Sequence, residues 1–452
     1  MKNMTVQNIA CACNGTLCGN EESGREASCV VIDSRKIEEG GIFIATKGER
    51  VDGHDFIAQV AEKGALAVVC EKVPENCKVP YILVKDSFKA LRDIAEFYRK
   101  QLTIPVVGIT GSVGKTSTKE MIASVLSEGF NVLKTEGNFN NEIGLPLTVL
   151  RIRPEHEVAV LEMGISDFGE MHRLSQIARP DICVMTNIGQ CHLENLGTRE
   201  GILKAKSEIF DFMNPEGHIL VNGDDDMLCK VKAKGNSRLL HFGLNPSNEI
   251  FASGVMNKGL LGSEAVVHMD LEVFLIEIPL PGGHMVYNAL AAATVGSCLG
   301  LSREQIQKGI AAVSAVGGRS HVISLPQYTV IDDCYNANPV SMKAAIDLLD
   351  MAIGRKVAVL GDMFELGERE NEMHGEVGAY AAQKGIDVIV CVGKLSSHMY
   401  EAAKQQSGKA YYFETRDEMI QELAGILQPG DSILVKASHG MQFEKVVEYL
   451  MQ

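Results

Sequence analysis

From about residue 30 onward, short apolar runs alternate with segments in which apolar positions recur every three or four residues. Runs rich in Val, Ile and Leu and bounded by Gly, Asn or Asp read as strands buried on both faces, and the helical spacing between them reads as connecting helices. The predicted strands are 67–70, 81–84, 106–110, 158–163, 182–187, 218–221, 329–332, 357–360, 388–392 and 432–436. This alternation is that of an α/β fold with largely parallel sheets. Ligands bind such sheets at the carboxyl ends of the strands, where many of these runs meet Gly, Asn or Asp.

Two breaks divide the pattern. A helix ending near Lys100 gives way to Ile104-Pro105 and a new strand, and Gly317-Gly318-Arg319 separates a Gly/Ala-rich helical region from a further strand-rich block. Domains over 1–102, 103–316 and 317–452 are predicted, each of ordinary size. The 452 residues also suit three domains at about 150 residues each. Charge narrows the partners: 43 Lys+Arg against 58 Asp+Glu leave a net −15, the wrong sign for coating nucleic acid or an anionic membrane. The longest uncharged stretch, near 289–301, is short of the ~20 residues that span a bilayer, and the N-terminus has no signal-peptide core. Neither a nucleic-acid partner nor stable membrane insertion is expected, and any phosphate site must be local.

The 12 cysteines, Cys77 among them, are scattered without a Cys-x-x-Cys pair. Free thiols in a reducing compartment are expected, hence a cytoplasmic location. Cys11-x-Cys13-x4-Cys18 has no fourth ligand at a zinc-finger spacing, which favours structural thiols over a metal site.

The strongest local signal is the strand 106–110 running into Gly111-Ser112-Val113-Gly114-Lys115-Thr116-Ser117 and then a helix with Met121, Ile122, Val125 and Leu126 on one face. Such a turn aims backbone N–H groups, a helix N-terminus and a Lys ammonium at phosphates, and Thr116 is placed to ligate magnesium. Ile109 stands where the usual phosphate-loop pattern has its first Gly, so the glycines fall instead at Gly108, Gly111 and Gly114. Glu162, ending the next predicted strand, is a candidate carboxylate for the metal, or simply marks where that strand surfaces. His192, just past Thr186-Asn187-Ile188-Gly189, is a second candidate ligand, though a loop histidine more often serves as a hydrogen-bonder.

In 201–210, spacings of three and four put Lys206 on the face of Ile202, Ile209 and Phe210, whereas Lys204 falls elsewhere, one turn from Glu208. An inward ammonium must be paired with an anion, lowered in pKa or chemically modified, unless its stem only covers apolar surface while its head reaches water. The residues alone leave both readings open.

Taken in order, Thr110 to Thr116, Asn138-Phe139-Asn140-Asn141-Glu142-Ile143-Gly144-Leu145-Pro146, Glu162-Met163-Gly164, His192-Leu193-Glu194, Lys206 and Gly283-His284-x3-Asn288 resemble the Mur ligase family, the ATP-dependent amide ligases of bacterial cell-wall synthesis. Asp33-Ser34-Arg35 and Asp52-Gly53-His54-Asp55-Phe56 resemble its first domain. Asp332-Asp333-Cys334-Tyr335-Asn336-Ala337-Asn338-Pro339 and Gly361-Asp362-Met363-Phe364-Glu365-Leu366-Gly367 resemble the member that joins D-alanyl-D-alanine to UDP-N-acetylmuramoyl-tripeptide. The resemblance implies a three-domain α/β architecture: a UDP-substrate domain, a central phosphate-loop ATPase domain with a parallel-rich sheet, and a C-terminal Rossmann-like domain.

It also implies an acyl-phosphate mechanism in peptidoglycan precursor synthesis, with ATP and two magnesium ions; a monomer is expected. By this resemblance Lys115, Lys206, His192, Asn140 and Asn141 are catalytic. Gly111, Ser112, Val113, Gly114, Lys115, Thr116, Ser117, His284, Asn288, Arg319 and Asp333 hold ATP, while Ser34 and Arg35 meet the UDP end. Thr116, Glu162, His192 and a carbamylated Lys206 hold metal. Met285 and His439 depart from the family pattern, which commonly has Asn and Arg there. A folylpolyglutamate synthase would be expected to lack the Asp332–Pro339 block, and a hydrolysing switch would have no use for a UDP domain.

Overall fold

The computed structural model describes residues 1–19, 24–74, 78–270, 272–405 and 409–451. Among these residues the strands form three sheets, of five, nine and six strands. Each predicted strand is present, with ends displaced by a few residues, as in Val158–Glu162 and Ile182–Met185.

In the first sheet Val30–Val31, Ile42–Ile44, Ala67–Cys70 and Tyr81–Leu83 run parallel, and Thr16–Cys18 closes the edge antiparallel. The central sheet has Val106–Thr110 between Val158–Glu162 and Ile182–Met185, all parallel and all wholly buried, as strands covered by helices on both faces must be. Its far side turns antiparallel at Ile250–Asn257, Ser263–Met269 and Glu272–Ile278, which the apolar runs did not predict. There burial alternates residue by residue, because one face is packed and the other wet. The third sheet is parallel from Tyr328–Asp332 through Asp431–Lys436, Lys356–Gly361 and Val388–Val392 to Ala410–Phe413, with His321–Ser324 antiparallel at the edge.

One continuous apolar cluster runs from Met4, Leu91, Ile94 and Tyr98 of the first sheet's layer to Leu145, Leu174 and Ile202 of the second. The two N-terminal units therefore share a core. Arg99 fastens the seam, donating to the carbonyls of Ala178, Leu102 and Arg179 at 2.8, 2.9 and 3.0 Å, and the Tyr98 hydroxyl donates to Ile152 O at 2.6 Å. The C-terminal sheet instead has clusters of its own on its two faces.

The described cysteines are all free, and Cys77 lies outside the described residues. Cys13 is a buried thiol that donates to Ile9 O, the structural role expected of it. No helix among the described residues is long and apolar enough to cross a membrane.

Candidate active site

The phosphate loop is built from two neighbouring strand ends. Val106–Thr110 delivers it, and the segment after Ile182–Met185 pins it: Ser112 N–H donates to Asn187 O and Val113 N–H to Asn187 Oδ1, both at 3.0 Å, while the Thr186 hydroxyl donates to Val113 O at 2.7 Å. Gly111 is required by close approach, since a Cβ there would lie 1.9 Å from Thr186 Oγ1. Gly114, at φ 80°, precedes the helix Lys115–Leu126. Its N-terminal N–H groups and the Lys115 ammonium, now bonded to Gly111 O at 2.9 Å, surround the space where an anion is favoured.

That space is part of a cavity of about 1020 Å³ lined from both the central and the C-terminal sheets. The central part contributes Ser112 to Thr118, Asn140, Asn141, Glu162, His192, His284 and Asn288, and the C-terminal part Arg319, Asp333, Tyr335, Asn336 and Lys436. Of the sequence-predicted residues, Gly111 and Lys206 lie behind this lining. Ser34 and Arg35 belong to the first sheet's layer, where Arg35 is largely exposed and pairs with Asp33 at 2.8 Å, holding that carboxyl down at about 2. Asp52 and His54 are tied into their own turn, with Asp52 accepting from His54 N–H and His54 Nε2 accepting from Glu71 N–H.

Glu162 is 2% exposed and accepts from the Thr116 hydroxyl on Oε2 at 2.9 Å and from the Asn140 amide on Oε1 at 2.8 Å. A third neighbour was missed by sequence reading: buried Lys119, 4.0 Å from Glu162, donates to Thr135 O at 2.7 Å and pairs with Glu120 at 3.1 Å. The signal was available, because a spacing of three puts Lys119 in line with Thr116 and Ile122 on the inward face. Asn141 caps the next helix through Gly144 N–H, and Asn288 accepts from the Thr118 hydroxyl at 2.9 Å.

Lys206 is 1% exposed at the end of the helix Arg199–Ser207, and among the described residues its ammonium has no hydrogen-bond or ion-pair partner. Burial, reinforced by the Lys115 charge, pushes its pKa down to about 8. Lys204 is exposed, as its position on the helix predicts. His192 sits at φ 52° with Nδ1 2.7 Å from Glu365 Oε2. Burial and the charge of Lys206 lower its pKa, against the Glu365 carboxylate, which raises it. No cluster of three His, Cys, Asp or Glu converges among the described residues. The donors in the lining that could hold a metal are the Thr116 hydroxyl, the Glu162 carboxylate and the His192 imidazole. The first two are oxygen donors of the kind a hard divalent cation takes.

On the C-terminal side, Asp333 accepts from Ser320 N–H at 2.9 Å and from Lys436 at 2.6 Å. Arg319 lies over the Tyr335 ring, 3.9 Å from its centroid, and His439 stacks on the same ring at 5.5 Å. Asn338 exchanges hydrogen bonds with Ser341 and starts the helix Pro339–Asp350, a capping role.

Three family profiles match in order: "Mur ligase family, catalytic domain" over residues 26–99, "Mur ligase middle domain" over 109–296 and "Mur ligase, glutamate ligase domain" over 318–439. The UDP-N-acetylmuramoyl-tripeptide--D-alanyl-D-alanine ligase of Bacillus subtilis (strain 168) is 39% identical, covering 99% of this chain and 98% of the relative. Among solved structures, MurF from Acinetobacter baumannii superposes with a TM-score of 0.91 at 34% identity, covering 99% and 98% of the two chains. The MurF ligase of Thermotoga maritima, solved in complex with ADP, does so at 0.83 and 31%, covering 94% and 97%. Full-length likeness at this level, on top of the phosphate loop and the buried lysine, establishes that the chain belongs to the Mur ligase family.

Proposed function

We propose that this chain is an ATP-dependent ligase that joins D-alanyl-D-alanine to UDP-N-acetylmuramoyl-tripeptide in peptidoglycan precursor synthesis, as its Bacillus subtilis relative is named to do. The observation that carries the reading is the single cavity in which a phosphate loop from the central sheet meets Arg319, Asp333 and Lys436 from the C-terminal one. The assigned division is 1–102 for the UDP-linked substrate, with Ser34 and Arg35 at the UDP end, 103–316 for ATP, and 317–452 for the incoming dipeptide. The protein acts as a cytoplasmic monomer in this reading.

The chemistry brings two anions together. The tripeptide's terminal carboxylate oxygen attacks the γ-phosphorus, the bond to the bridging oxygen breaks and ADP leaves. The dipeptide amine then attacks the acyl carbon, the C–O bond to phosphate breaks, and the amine proton departs to the surrounding solvent or base. Lys115 and the N–H groups of 112–116 offset charge on the phosphates. Asn140, fixed by Glu162, presents its amide beside them, and Asn141 closes the same wall. His284, Asn288 and Asp333 take the nucleoside side, and Arg319 leaves the Tyr335 ring to meet phosphate when the C-terminal domain closes.

Thr116 and Glu162 would hold one magnesium, His192 and Lys206 a second; when bound, the ions neutralise the phosphoryl oxygens. Lys206 serves as a ligand only as its carbamate: the neutral amine bonds to the carbon of CO₂ and releases one proton. A buried ammonium with no partner among the described residues, its pKa pushed down to about 8 by burial, supports that modification, which turns a costly cation into an anion facing metal.

The test is phosphate release. Release that requires both the muramoyl tripeptide and D-alanyl-D-alanine, with a product mass equal to their condensation, is expected. ATP hydrolysis indifferent to either substrate would overturn the proposal. A panel of Lys- and diaminopimelate-containing tripeptides identifies the third residue.

A further inference from the structure

The Glu365 carboxylate belongs to the C-terminal domain, yet it pairs with His192 of the central domain, Nδ1 to Oε2 at 2.7 Å. Both residues are in the left-handed backbone region, at φ 52° for His192 and 62° for Glu365, which costs a non-glycine residue about 1 kcal/mol each.

The Glu365 loop is anchored by its neighbours. Met363 and Leu366 on either side of it are buried in the C-terminal core, Met363 N–H donates to His374 Nε2 at 2.9 Å, and Phe364 N–H donates to Ser438 Oγ at 3.0 Å. Opposite, Leu193, next to His192, packs against the cores of both domains. A Cβ at Gly367 would lie 4.0 Å from the Glu194 backbone, so the two loops meet here.

A carboxylate at Nδ1 accepts the imidazole proton there and leaves Nε2 with its lone pair. His192 lines the cavity, and its Nε2 has no partner among the described residues. We propose that Glu365 is a positioning residue: docking of the C-terminal domain brings its carboxylate to His192 Nδ1, which fixes the tautomer and ring orientation that turn Nε2 into a ligand for the second divalent cation. This rests on the two-metal reading above. It makes the second cation site a product of domain docking, so that the site is complete only when the domain carrying the dipeptide residues is in place. The carboxylate is 60% exposed, so its contribution is orientation rather than stability, and its removal should leave the fold intact.

The test uses the full chain with ¹⁵N-labelled histidine, the His192 signals being assigned by their loss in His192→Gln. In the metal-free wild type His192 is expected as the Nδ1–H tautomer, and in Glu365→Ala as a mixture or the Nε2–H form. Mn²⁺ titration with a non-hydrolysable ATP analogue and the muramoyl tripeptide is expected to give two sites in the wild type. In Glu365→Ala the second should be weakened about tenfold or more and the first unchanged. Glu365→Gln, whose amide oxygen accepts the same proton, should recover most of the second site. An unchanged tautomer, or two sites of unchanged affinity in Glu365→Ala, overturns the inference alone, as does a Gln variant as weak as Ala. A single Mn²⁺ in the wild type overturns the two-metal reading and this inference with it.

Discussion

The Thr116 hydroxyl donates its proton to Glu162 Oε2 at 2.9 Å. Its oxygen lone pairs are thereby turned toward the cavity, where a cation between the phosphate loop and the strand end would meet them. Thr116→Val keeps the shape and removes the donor and ligand. Magnesium-dependent tightening of nucleotide binding should fall by about 10–100-fold, while Thr116→Ser keeps most of it. Calorimetric titration with and without magnesium reads this out, and an undiminished magnesium effect in the valine variant would exclude the role.

Lys206 is buried with no partner among the described residues, so its loss should damage chemistry and spare the fold. Lys206→Met should lower ligation by about 100-fold or more. In CO₂-depleted buffer its thermal midpoint should be no lower than the wild type's, because a buried unpaired ammonium is replaced by a thioether chain of similar length. Incubation with ¹³C-bicarbonate should give a carbamate carbon signal in the wild type that the methionine variant lacks.

His374 predicts an acid-sensitive C-terminal domain. It is wholly buried, accepting from Met363 N–H on Nε2 and bonding Glu370 O through Nδ1 at 2.6 Å, and burial lowers its pKa below 6.5 despite the nearby Asp362. The unfolded chain binds a proton below pH 6.5 that the folded one resists. Stability from this group is therefore complete above pH 6.5 and is lost as the pH falls toward the folded value. Thermal unfolding between pH 7 and pH 5 should show a drop of a few degrees that is smaller in His374→Gln; equal slopes in the two proteins would reject it.

The shared core of the first two domains predicts that they unfold together. Calorimetry should show one transition for them and a separate one for the C-terminal domain. Arg99→Met leaves the carbonyls of Ala178, Leu102 and Arg179 without their donor, which should cost about 2 kcal/mol or more and lower the larger transition without splitting it. An independent unfolding step for residues 1–102 would count against the shared core.

Sequence alone determined the parallel α/β core, the phosphate loop and the inward position of Lys206. These depend on periodicities of two or three to four residues and on a contiguous turn, all written within a dozen positions. It did not show the antiparallel strands 250–278, where outward-facing Val273 and Leu275 blur the alternation that marks a half-exposed strand. Lys119 beside Glu162, the Asn187 brace on the phosphate loop and the reach of Glu365 to His192 were decided by tertiary structure. Each joins side chains or backbone groups whose pairing depends on which strands neighbour one another and which loops face across a domain boundary. Local pattern settles which way a side chain faces on its own element; what it meets there is set by packing between elements distant in the chain.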